Sequence, residues 1–344
     1  MRRPEPPRFS ATRPIFLVNG RRRNDIGAAL LFMDVRLPRH GMAHAELRLQ
    51  AAPVRGSFPF SDLSHGLGLV VRGASAEMPP VFEGQITAIE CRMGNGPPEL
   101  AILAEDALHR LARSLLPHQF DDTTADEVVR SLADRVGLQA DTNLGGSPET
   151  FVKGAESDLA FLLRTVSARG GSLRLNGDWV RAGPEPPDPR PLSIAADAIK
   201  ELRIIADLNW QPGTVTARGW NLAEGTAAEA TAAPEAQRPR QGAAAIVENL
   251  GWAARYTLPR DFVEGSVLDV IANVEATRAA ERFLHGEIVG TFSELRPGRV
   301  VELSGTDPRF AGHYRVGDCR HHYSAADGAV VRARIARAHW HHDR

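Results

Sequence analysis

The sequence predicts an α+β fold: two related antiparallel β-barrel domains, a helical α/β domain between them, and a small inserted helix-containing domain. Three observations lead there. Residues near both ends alternate in polarity with the period of two that a half-buried strand requires. The middle carries apolar residues at helical spacing, with cap signals at their starts and stops. An eleven-residue segment of the first β region recurs, without a gap, in the last. The boundaries follow as 1–107 for the first barrel, 108–199 for the α/β domain, 200–222 plus 286–344 for the second barrel, and 223–285 for the inserted loop and helix.

From Met42 to Gln50, Ala43, Ala45, Leu47 and Leu49 share one face, with His44, Glu46, Arg48 and Gln50 on the other. Leu67–Val71, Val81–Met93 and Leu100–Ala104 read as further strands, punctuated by turns such as Gly96-Pro97-Pro98. Asp106–Leu116 then reads as a helix, apolar at Leu108, Leu111 and Leu115 and stopped by Pro117. Thr124 and Glu127 have capping-box spacing, opening a helix that buries Val128, Val129, Leu132 and Val136 and ends at Gly137. Glu156–Arg169 repeats that design with Leu159, Leu162, Leu163 and Val166. A hairpin follows, turning on Asn176-Gly177, and Pro184–Pro191 reads as an extended linker. Ala223–Ala245 holds ten alanines and no large apolar side chain, which predicts an exposed or mobile loop, the least ordered long stretch of the chain. Ser266–Leu284 is one more helix, capped by Gly286, and strands resume at Val300–Leu303, His313–His322 and Ala329–Ala338.

The repeat aligns Phe82-Glu-Gly-Gln-Ile-Thr-Ala-Ile-Glu-Cys-Arg92 with Phe310-Ala-Gly-His-Tyr-Arg-Val-Gly-Asp-Cys-Arg320. Phe, Gly, Cys and Arg are identical and three more positions are conservative, so duplication is favoured over chance strand composition. Cys91 and Cys319 are expected on equivalent strands, with Gly84 and Gly312 at equivalent positions. A regular strand would turn each cysteine away from the core face carrying Phe82, Ile86 and Ala88, or Phe310, Tyr314 and Val316. Either a bulge resets the register or the outer face is covered by a neighbour or another subunit, and the second is favoured.

Several function classes are set aside by composition. Forty-one basic and 42 acidic residues give no global pull toward nucleic acid or anionic membrane. The arginines, which outnumber Lys153 and Lys200 heavily, are scattered. Two cysteines make neither a disulfide framework nor a zinc pair. The start, MRRPEPPRFSATRPIF, lacks the apolar stretch of a signal peptide, and no run reaches the ~18 apolar residues of a membrane helix. The chain is therefore expected to be made in the cytoplasm.

Each candidate for acid/base work has a structural role at hand. Glu156 and Asp158 flank a helix start, where carboxylates favour the positive end of the dipole. Asp121 and Asp122 precede the capping box, and Glu105 and Asp106 sit at a strand–helix junction. His313, His321, His322, His339, His341 and His342 cluster late, but adjacent strand residues face opposite ways, so His321 and His322 cannot share a metal. Cys91 and Cys319 read as buried small hydrophobes. No GxSxG, HExxH, P-loop or GxGxxG signature occurs. The expectation is no catalytic, cofactor or metal residue, and no enzyme.

FEGQITAIE, AEDALHRLARS, FDDTTADEVVRSLADRVGL, GAESDLAFLLRTVSARGGSLRL and the closing GHYRVGDCRHHYSAADGAVVRARIAR follow in an order that resembles the late control protein D family. That family includes hub proteins of contractile phage tails, and the amino-terminal part of VgrG spike proteins is similar. The resemblance covers roughly residues 10–340. It implies two β-barrels flanking α/β domains and a homotrimeric hub that joins a sixfold tail tube to a trimeric spike. VgrG chains continue into an OB-fold and a needle; here the spike is expected on a separate polypeptide. The implied partners are that spike, the tube protein and other baseplate proteins, in a virion or particle baseplate, without nucleic-acid recognition or membrane insertion. The alternatives are a tail-associated peptidoglycan hydrolase and an effector-carrying adaptor of an injection system.

Overall fold

The computed structural model describes residues 13–340 apart from 55, 74–78, 95, 222–223, 234–241 and 263–264. The first region contains β1 (Ile15–Val18), β2 (Arg21–Arg22), α1 (Asn24–Ala29), β3 (Leu30–Leu37), β4 (His44–Gln50), β5 (Gly68–Arg72), β6 (Phe82–Arg92) and β7 (Glu99–Glu105). The middle holds β8 (His118–Thr123), α2 (Ala125–Arg135), β9 (Gln139–Thr142), β10 (Glu149–Lys153), α3 (Asp158–Ala168), β11 (Ser172–Asn176) and β12 (Trp179–Gly183). There follow β13 (Leu192–Ala195), β14 (Glu201–Ala206), β15 (Thr214–Asn221), β16 (Thr226–Ala232), α4 (Ala243–Asn249), β17 (Arg255–Phe262) and α5 (Gly265–Glu281). The chain closes with β18 (Leu284–Gly290), β19 (Val300–Ser304), β20 (Gly312–Ser324) and β21 (Gly328–Arg337).

Strands of both end regions form one 13-stranded, mostly antiparallel sheet, ordered β14-β18-β21-β20-β3-β4-β7-β6-β5-β1-β2, with β19 beside β20 and β13 beside β19. Its inner face carries the largest core, from Phe16 and Leu47 to Tyr314 and Ile335. No sheet among the described residues closes on itself, so the expected pair of separate barrels becomes one continuous sheet. The physical reason is the length of β20. Its first half pairs with β19, which leaves the second half free to take β3, from Cys319 opposite Leu37 to Ser324 opposite Phe32.

Two runs of six strands within this sheet share both spatial order and chain order: β3-β4-β7-β6-β5-β1 and β14-β18-β21-β20-β19-β13. Registers agree as well. Gly84 faces Leu69 and Gly312 faces Leu303; Cys91 faces Leu100 and Cys319 faces Ala333. The outer strands differ, since β1 pairs antiparallel and β13 parallel. Each long strand carries one irregularity, between Ile86 and Ala88 in β6 and between Val316 and Cys319 in β20. The bulge, not a covered outer face, explains the second cysteine: the extra residue returns Cys319 to the core side, where it is buried with Tyr314 and Val316. Cys91 departs from expectation. It lies at the end of β6 and is exposed.

The middle region packs α2 and α3 against β9-β12-β11, with β8-β10 alongside, around a second core that includes Val128, Leu162 and Leu173. The capping box is formed: Thr124 Oγ1 accepts from Glu127 N, and the Glu127 side chain accepts from Thr124 N. Asp106–Leu116 is not a full helix. Only Ala107–Arg110 makes a 3-10 turn, because the carbonyls of Leu111 and Ser114 accept from Leu159 N and Asp158 N at the start of α3. The alanine-rich stretch is also corrected where it is described: 226–232 is strand and 243–249 is helix, while 223 and 234–241 lie outside the described residues. Ala230 and Ala232 of β16 pack with Ala217, Ala272 and Ala276. Small side chains on both partners let α5 approach the β16-β15-β17 sheet closely. Helix α5 ends at Glu281, and Gly286 stands inside β18 instead of capping it.

Candidate functional site

The sequence-selected carboxylates are placed apart. Asp106 is buried; it accepts from Ala43 N at 2.7 Å and Leu108 N at 2.9 Å, and desolvation pushes its carboxyl up to about 6. It ties the start of β4 to the turn after β7. Asp121 accepts from Gln119 Nε2 at 2.6 Å and Thr150 Oγ1 at 3.3 Å on an exposed strand, and Asp122 beside it has φ 46°. Glu156 pairs with Arg164 at 2.6 Å, and Glu105 lies opposite His44 across β4-β7. Asp158 is buried against Lys153 at 2.8 Å, and Lys153 Nζ also donates to Leu116 O at 2.6 Å. Sequence reasoning missed Lys153. The signal was its alternation with Phe151 on the inward face of β10. A buried pair of this kind is costly to break from one side, about 3–5 kcal/mol.

The histidines separate as strand geometry requires. His321 is buried with Nε2 3.0 Å from Leu295 O, and burial lowers its pKa to about 3, helped by the neighbouring Arg296 charge. His322 points the other way and meets Phe32 edge-on at 5.0 Å. His313 is exposed, His339 bridges to Gly242, and His341 and His342 lie outside the described residues. Burial pushes the Cys319 thiol up to about 12. Among the described residues no group of three or more His, Cys, Asp or Glu side chains could hold a metal ion, and no helix is long and apolar enough to cross a membrane.

The residues that do converge lie on the outer face of the sheet. At the β3–β20 junction Arg36 and Arg320 are direct cross-strand partners, an arrangement that is repulsive unaided. Asp34 resolves it, sitting almost fully buried between them and pairing with both, at 2.8 Å to Arg36. Further along, β14, β18, β21 and α5 line an open cleft of about 650 Å³ containing Arg203, Asp207 and Trp210, a residue 87% exposed. Arg39 closes one wall through its pair with Glu281 at 2.8 Å. Such an arrangement combines ion-pairing groups, an exposed aromatic side chain and, among the described residues, a strand edge without a neighbour.

Comparison with solved structures shows where this architecture recurs. A 43 kDa tail protein of prophage MuSo2 from Shewanella oneidensis superposes with a TM-score of 0.72 at 11% identity, covering 95% of this chain and 98% of that one. A tail protein of Neisseria meningitidis MC58 gives 0.67 at 14% identity, covering 94% and 96%. The Escherichia coli c3393 protein, a type VI secretion system component described as structurally similar to the T4 tail proteins gp27 and gp5, gives 0.59 at 12% identity, covering 92% and 76%. No curated protein matches the chain. One family model, described as the Alg8 N-terminal domain, matches residues 68–325. With well over half its length inside that match, on a fold shared with phage tail proteins, the chain belongs to the Alg8 N-terminal domain family.

Proposed function

We propose that this protein is a structural hub subunit of the baseplate of a contractile phage tail or related injection machine, and not an enzyme. One observation carries the reading: two six-stranded units with the same strand order, and with matching register along their long strands, lie side by side in one sheet. Three copies then present six similar wall elements, which reconciles a sixfold tail tube with a threefold spike without any subunit adopting two folds. The tail-protein fold and the resemblance to late control protein D support the same role. Each unit serves as one barrel-like wall element, the first built from strands within 1–107 and the second from β13, β14 and β18–β21, while the rest of 108–199 and 207–283, including β15, which belongs to a separate sheet, faces neighbouring baseplate proteins. The partners are two further copies, a trimeric spike, the tube protein and other baseplate proteins, in the tail of the particle.

Native mass spectrometry of the protein, alone and with its spike, tests this. A homotrimer with interfaces above ~2,000 Å² is expected. A monomer or hexamer at the tail axis overturns it.

A further inference from the structure

The two six-stranded units are alike in order, yet they are not alike in neighbours. In one, β3 pairs with the second half of β20. In the other, β14, the counterpart of β3, is hydrogen-bonded to β18 on one side only, and the end of β6, the counterpart of that half of β20, has β7 on one side only. Among the described residues, two complementary edges are therefore open on one chain. Open edges of this kind are a hazard unless something covers them.

Register identifies what faces what. Cys91 faces Leu100 as Cys319 faces Ala333, so beyond the two bulges Leu103 corresponds to Ala336; Leu103 pairs with Glu46, which pairs with Asp34, and Ala336 pairs with His285, which pairs with Ile205. Asp34 thus corresponds to Ile205, Arg36 to Asp207 and Leu37 to Leu208. The repeat sets Cys91 against Cys319 and Arg92 against Arg320. The internal pairs Cys319–Leu37 and Arg320–Arg36 map onto Cys91–Leu208 and Arg92–Asp207. Inside the chain the second pair is two arginines held by Asp34; between open edges it is an arginine opposite an aspartate. The next pair, His321–Val35, maps onto Met93–Ala206. His321 and Cys319 are buried beside β3, whereas Met93 is 64% exposed and Cys91 is exposed where the corresponding strand is absent.

We propose that Cys91–Met93 of one copy pairs antiparallel with Ala206–Leu208 of the next, repeating the internal β3–β20 junction between subunits. This rests on the hub reading and deepens it by naming the partner as a second copy of this chain and the contact as a strand edge. The wall of the ring becomes one sheet in which internal and intersubunit junctions alternate. Head-to-tail contacts of this type close into rings when the rotation per copy divides the circle.

The full chain carrying Leu208→Cys tests the register directly. Residues directly opposite across strands have Cβ atoms about 4.5–5.5 Å apart, within small adjustment of disulfide geometry. Mild oxidation of the assembled protein is expected to give covalently linked dimers and trimers on a non-reducing gel, abolished by Cys91→Ser. Because Leu208 packs partly against the core, charge variants supply a second arm that leaves the core alone. Arg92→Asp or Asp207→Arg alone should weaken self-association at least about tenfold, and the two together should restore it. Assembly that gives no cross-link and ignores both charge reversals overturns the junction while leaving the ring standing. Failure of the wild-type chain to self-associate, alone or with its spike, overturns the ring and the junction together.

Discussion

Asp34 and His321 show how much of the fold depends on single side chains with no motif around them. Asp34 has nothing in its local sequence to distinguish it from any strand carboxylate, and its partner Arg320 lies far along the chain. His321 was visible only as one of two adjacent histidines; the strand period correctly split them, but burial depends on Leu295 and Arg296, which no local pattern connects to it. Its consequence is measurable. A histidine held near a pKa of about 3 in the fold, against about 6.5 when unfolded, binds fewer protons folded than unfolded. Its stabilising contribution is fully present above pH ~6.5 and is lost as pH falls from there toward ~3. Asp106, raised to about 6, acts in the opposite sense: its contribution is present below ~3.9 and lost as pH rises through about 6. The comparison that isolates the histidine is urea unfolding of wild type and His321→Gln across pH 7.5 to 4. The wild-type advantage should shrink steadily below pH ~6.5; a difference that stays constant with pH would refute the assignment.

Elements were legible where their signal was local. The alternation of β4 and the capping box of α2 formed as their patterns require, and the hairpin formed one residue on, with Asn176 paired to Trp179 and the loop at Gly177-Asp178. The failures have one physical cause, competition from a distant partner. Residues 111–114 had helical spacing, but their carbonyls serve α3. The alanine-rich stretch lacked bulk, but α5 brought alanines of its own, and small against small is a packed surface. Glycines within strands tell a similar story. A Cβ on Gly84 would lie 2.2 Å from the Glu105 carbonyl oxygen, and one on Gly286 would lie 2.0 Å from that of Arg203. Both contacts are to backbone of a neighbouring strand, so a methyl group forces the strands apart. Gly84→Ala and Gly286→Ala should each destabilise the protein by at least about 1–3 kcal/mol in thermal unfolding. Gly94→Ala, which meets nothing, should be nearly silent and serves as the control.

At the scale of the molecule, the duplication was readable because the long strands kept their cysteines and glycines in register, whereas the join between the copies was not. Strand pairing across nearly the whole chain leaves no periodic trace. That join makes a prediction of its own. A chain ended before Gly312 lacks β20 and β21, so β3 and β18 both lose a partner, and the remaining strands cannot complete the core. Such a fragment should lack cooperative unfolding by circular dichroism and should bind ANS; a sharp transition would show that the first unit folds alone. The same join has a consequence during synthesis. At ~5–20 residues per second, β20 leaves the ribosome roughly 15–60 s after β3. For that interval β3 is a nascent strand with a bare edge, among other nascent chains carrying the same edge. Asp34 and Arg36, the two charges that later lock the join, stand on that strand from the beginning, so the residues that hold the finished sheet together also discourage its first half from pairing with the wrong molecule.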